Sequence, residues 1–120
     1  MRLADFAELV GKTLASITAQ KVEDDVVTIK TEDGKTYIID HSQDCCESVQ
    51  LERVEGDLEN LIGSPIVAAE EVADGDVIDD LAESYTWTTY KLTPDKGSVT
   101  FRWYGVSNGY YSEVPSFKEV

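Results

Sequence analysis

The chain has one histidine, two cysteines, three prolines and one methionine among 120 residues, with 10 lysines and arginines against 24 aspartates and glutamates. With one histidine and two adjacent cysteines, there are no spaced Cys or His pairs to build a tetrahedral zinc site, and no disulfide framework. The shortage of bases leaves a net charge of −14. That charge works against binding a nucleic-acid backbone or an anionic membrane, where Lys and Arg must neutralise phosphates. No stretch approaches the ~18 apolar residues of a membrane span. Arg2, Asp5, Glu8 and Lys12 interrupt the start of the chain where a signal peptide would need an apolar run. A Gly-rich phosphate loop and a Gly-x-Ser-x-Gly elbow are missing too. Together these absences predict a cytoplasmic protein that is not an enzyme and carries no cofactor.

What is present is globular: 42% of residues are hydrophobic and 28% charged, and the length suits a single domain over residues 1–120. Leu3, Phe6, Leu9 and Val10 fall at helical spacing, with Gly11 as a left-handed stop, which predicts a short amphipathic helix. A second helix of one or two turns is predicted over 57–62, ahead of Gly63 and Pro65. Strands are expected around Leu14–Gln20, either side of the Asp33-Gly34 turn, from Val49 to Val54 and briefly over 66–69. Residues 85–111 hold eight of the eleven aromatic residues. They form two segments joined by Thr93-Pro94-Asp95-Lys96-Gly97, and a third segment at Tyr110-Tyr111 completes a predicted meander. The fold class expected is α+β: one twisted antiparallel sheet or partial barrel of about six to eight strands, with one or two short helices.

The rare residues gather in Asp40-His41-Ser42-Gln43-Asp44-Cys45-Cys46-Glu47. A metal site would draw on His41, Cys45 or Cys46, and Asp44. However, adjacent strand residues point to opposite faces, so both thiols reach one ion only from an irregular loop. A thiol nucleophile would need a thiolate, and Asp44 and Glu47 beside the sulfurs oppose that charge. A vicinal disulfide is disfavoured because Cα atoms ~3.8 Å apart fall short of the usual bridging distance. The expectation is instead a corner between strands, with one cysteine buried as a small hydrophobe and with Arg53 or Arg102 partnering the acids.

Between Arg53 and Lys91 there are ten acids and no base. A run of this kind reads as a solvated loop or helix face, or as a docking surface for a basic partner. In the second case the contact residues are Glu70, Glu71, Asp74, Asp76, Asp79, Asp80 and Glu83. The aromatic meander lacks the basic groove of a single-strand binder and reads as core or protein interface.

Three motifs then stand together. They are Asp44-Cys45-Cys46-Glu47-Ser48-Val49; Gly56-Asp57-Leu58 with Leu61-Ile62-Gly63-Ser64-Pro65; and Ser84-Tyr85-Thr86-Trp87-Thr88 followed by Arg102-Trp103-Tyr104-Gly105-x-Ser107-Asn108-Gly109-Tyr110-Tyr111-Ser112. Over most of residues 10 to 113 the chain resembles a family of small acidic domains of unknown function encoded widely by bacteriophages and prophages. The resemblance implies an infected bacterial cytoplasm, where small acidic proteins often bind host proteins, some imitating the charge of DNA. The function expected is therefore binding of a basic host or phage protein, as in an anti-defence inhibitor of the DNA-mimic or anti-CRISPR type. The alternatives are a metal-binding or thiol-dependent protein centred on His41, Cys45 and Cys46, and an assembly accessory forming a homodimer through its aromatic face.

Overall fold

A computed structural model describes residues 1–20, 25–78 and 83–120. Its strands are β1 (Arg2–Leu3), β2 (Leu14–Gln20), β3 (Val26–Thr31), β4 (Thr36–Asp40), β5 (Ser48–Glu55), β6 (Ala68–Ile78), β7 (Glu83–Thr93), β8 (Val99–Ser107) and β9 (Ser116–Glu119). They form two antiparallel sheets, one ordered β1-β9-β4-β3-β2 and the other β5-β8-β7-β6.

Period-two alternation selects the inner faces. Val27 and Ile29 of β3, Tyr37 and Ile39 of β4 and Phe117 of β9 meet Tyr90 and Leu92 of β7 and Val99, Phe101 and Trp103 of β8 in one core cluster. Each such side chain contributes roughly 1.5–3 kcal/mol by leaving water. Phe6 joins the layers edge-on, its ring centroid 5.0 Å from Tyr90 and 5.2 Å from Phe117, and Phe117 stacks on Tyr37 at 5.1 Å.

The Asp33-Gly34 hairpin forms as expected. Gly34 takes φ of 90°, and β3 pairs with β4 from Val26 opposite Asp40 to Lys30 opposite Thr36. The α+β expectation is overturned, because the fold is all-β. Both predicted helices are single four-residue 3-10 turns, Phe6–Leu9 and Leu58–Leu61. Their apolar spacing is real, since Phe6, Leu9 and Leu61 are buried. Each segment is nevertheless too short to repay helix nucleation, and both are held by local caps. Asp5 accepts from the Ala7 N–H while Glu8 reaches back to the Asp5 N–H, and Asp57 accepts from the Glu59 N–H.

The single sheet or partial barrel is corrected as well. Two sheets exist because the chain crosses from β4 to β5 at residues 41–47, and again from β8 to β9 at residues 108–115. Tyr110 and Tyr111 lie in this second crossing and form no strand. The aromatic strands β7 and β8 are instead flanked by β5, paired with β8, and by β6, paired with β7 over eleven positions from Ala68 opposite Thr93 to Ile78 opposite Glu83. Residues 70–78 of the acidic run, expected as a loop or helix face, are therefore part of an edge strand, which takes in Ala68 and Ala69 of the short strand predicted over 66–69, while Asp79 and Asp80 lie outside the described residues. Gly75 permits its close pairing, since an added Cβ would stand 2.2 Å from the Tyr85 carbonyl oxygen.

Candidate functional site

The crossing between β4 and β5 is organised by Glu47, whose side chain is fully buried. Its carboxylate accepts the backbone N–H groups of Asp44 and Cys45 at 2.9 Å each, lies 2.8 Å from His41 Nε2 and takes a further contact from the Gln43 amide at 3.2 Å. The Cys45 N–H is the main influence holding this carboxyl down to about 2; burial opposes it, while His41 and the Asp44 N–H assist. His41 Nδ1 lies 3.1 Å from the Val114 carbonyl of the other crossing. Both ring nitrogens thus face acceptors of the chain itself, and neither is presented to a metal.

Cys45 and Cys46 are joined as a vicinal disulfide, with Cα atoms 3.7 Å apart, and both residues are exposed. This corrects the expectations of a buried cysteine and of separate thiols. The residues belong to an irregular turn, not a strand, so their side chains are free of the up-and-down alternation that would part them. Asp44 is exposed and offers its backbone N–H to Glu47. Among the described residues no group of three His, Cys, Asp or Glu side chains is arranged to hold a metal. The arginines do not serve as partners of the corner: Arg53 pairs with Glu55 at 3.0 Å, and the Arg102 guanidinium sits 4.7 Å from the Trp87 ring centroid.

Beside the corner lies a polar cleft of about 670 Å³, lined by residues 25–26, 40–43 and 47–52. Its carboxylates are largely committed to structure. Asp25, just before β3, accepts the Leu51 N–H of β5 at 2.7 Å, and Asp40 of β4 holds Lys118 of β9 at 2.6 Å.

A second organising carboxylate, which sequence reasoning missed, is Glu113. It accepts the Thr86 hydroxyl at 2.8 Å and also the hydroxyls of Ser84 and Ser107. Burial pushes this carboxyl upward, but the three hydroxyls outweigh it and hold it below its ordinary value. The signal was in the sequence as Ser84-x-Thr86 and Gly105-x-Ser107, three hydroxyls and a glycine at alternate positions on paired strands. Gly105 belongs to the same arrangement, because an added Cβ would stand 1.9 Å from the Glu113 carbonyl oxygen.

A family model described as a domain of unknown function, DUF7448, matches residues 7–117. The chain belongs to the DUF7448 family. No curated protein and no solved structure matches it. In this DUF7448 chain no helix among the described residues is long and apolar enough to cross a membrane.

The predicted docking residues divide along β6. Glu70, Asp74 and Asp76 lie opposite Lys91, Trp87 and Tyr85 on the outer face, and Glu71 lies opposite the buried Tyr90. Desolvation, aided by Asp5, pushes the Glu71 carboxyl above its ordinary value. Glu70, Glu71, Asp74, Asp76 and Glu83 are all exposed, whereas Asp79 and Asp80 lie outside the described residues. Next to the acids, Tyr85, Trp87 and Tyr104 cover the outer face of β7 and β8, with Trp87 and Tyr104 centroids 4.6 Å apart. The DUF7448 chain thus carries an acidic edge beside a half-buried aromatic stripe.

Proposed function

We propose that this chain is an acidic binding protein that docks onto a basic surface of another protein through β6. One observation carries the reading. Glu70, Glu71, Asp74 and Asp76 of the base-free stretch are displayed on an exposed edge strand, and among the described residues Glu70 and Asp74 form no ion pair. Carboxylates in this setting add little to stability, yet they speed and orient encounter with a positive partner. The sequence resemblance implies an infected bacterial cytoplasm as the setting. The partner class to seek is therefore a host or phage protein with a basic cleft, including defence enzymes that handle nucleic acid. A metal-centred function is less favoured, because His41 and Glu47 are spent on the corner.

The test is affinity capture from infected cells, comparing the native chain with a variant carrying Glu70→Gln, Glu71→Gln, Asp74→Asn and Asp76→Asn. The expected result is a basic protein retained at low salt, released near ~0.5 M salt where screening is strong, and not retained by the variant. A partner held equally by the neutralised variant, or no salt-sensitive partner at all, would overturn the proposal.

A further inference from the structure

The geometry points to β-strand addition as the mode of docking: the partner supplies an extended segment that pairs with the open edge of β6. The inference rests on the acidic-docking reading above and goes further by naming the recognised element. β6 is the last strand of its sheet. Its backbone pairs with β7 on one side, and among the described residues none of the remaining backbone hydrogen bonds involves residues 68–75. An antiparallel edge strand leaves alternate N–H and C=O groups pointing outward, which is the template that an added strand completes.

The side chains specify what that strand carries. Glu70, Val72, Asp74 and Asp76 stand at every second position and so on one face. Val72 is 59% exposed. A strand laid alongside places its own alternate residues against these four, and the complementary order is basic, apolar, basic, basic. The first two basic residues are then four positions apart, about 13 Å in an extended chain. On the opposite face Ala73 and Gly75 are exposed and small, leaving space for whatever side chains the partner turns that way.

A second copy of this chain is a poor occupant. Edge-to-edge pairing of β6 with itself would bring these carboxylates together, and like charges opposed across a ladder are destabilising. The same charges therefore discourage self-association while attracting a basic strand.

Three kinds of peptide test this against the unmodified protein. The first places Arg, Leu, Arg and Arg at alternate positions between Thr and Ser; the second shuffles the same residues so that the alternation is lost. The third is a pair of N-methylated forms of the first, each blocking one alternate set of amides. Binding is read by fluorescence anisotropy and by amide shifts of residues 70–76. Strand addition predicts that the alternating peptide binds about tenfold or more tightly than the shuffled one. It also predicts that methylation of one amide set abolishes binding while the other set leaves it intact. Equal, salt-sensitive binding of alternating and shuffled peptides would overturn strand addition while leaving acidic docking standing. Binding of neither peptide also overturns it, and the capture experiment then decides the broader reading alone. A homodimer through β6 in sedimentation, broken by no peptide, would overturn it as well.

Discussion

Removing the Glu113 carboxylate tests whether the second crossing is held by the hydroxyls of β7 and β8. Glu113→Ala deletes the acceptor of Ser84, Thr86 and Ser107 together. A hydrogen bond to a charged group contributes about 1.5–3 kcal/mol, but Glu113 is only half-buried. Solvent screening reduces the appropriate figure to about 1 kcal/mol for each bond. Three such bonds give about 3 kcal/mol, with Ser107 the costliest because it is buried and is left with less access to water. For a chain of this length that corresponds to a fall in Tm of roughly 10–15 °C. The assay is urea unfolding followed by tryptophan fluorescence, since Trp87 and Trp103 sit on the two strands concerned. Glu113→Gln keeps one acceptor oxygen and should fall between the native chain and the alanine variant. An alanine variant within ~0.5 kcal/mol of the native chain, at unchanged m-value, would refute the reasoning, since surface substitutions stay within that range.

Two further outcomes follow from the same corners. Gly105→Ala should destabilise by about 2 kcal/mol or more, measured by the same urea titration, because its Cβ would meet backbone at 1.9 Å and no side-chain rotation can relieve it. Glu47 should shape the acid limb of the stability curve. Its carboxyl is lowered from 4.5 to about 2 in the folded chain, so its stabilisation is complete above the unfolded value and is lost as pH falls from about 4.5 through 2. Glu47→Gln should therefore lower the melting temperature at pH 7 and flatten its decline across that window; parallel native and variant curves would contradict the assignment.

The strands were legible wherever period-two alternation was strong, as at Val26–Thr31, Thr36–Asp40 and Val99–Ser107. The Asp33-Gly34 turn was legible too, because its chemistry is local. The helices were misread because Leu3, Phe6, Leu9 and Val10 fit a helical face in spacing alone. Leu3 belongs to β1 and Val10 is exposed, so only Phe6 and Leu9 bury, and one tight turn suffices for that. β6 was misread for a different reason. Its strand character comes from pairing with β7 and not from its own residues, since Glu, Asp, Ala and Gly are poor strand formers and only tertiary context overrides such preferences.

The same distinction explains the site. His41 to Glu47 attracted attention because rare residues cluster there, yet their chemistry is consumed internally: Glu47 binds two N–H groups and His41, while His41 also meets the Val114 carbonyl at 3.1 Å. That contact ties the β4–β5 crossing to the β8–β9 crossing. Glu113, one residue earlier, ties the second crossing to β7 and β8. Two carboxylates thus fix both places where the chain changes sheets, and both sit within motifs, or beside hydroxyls of motifs, that marked the sequence. A motif of this kind specifies the sandwich. Among the described residues Glu70 and Asp74 on the edge of β6 form no ion pair and share one face, which is the arrangement the proposed docking uses.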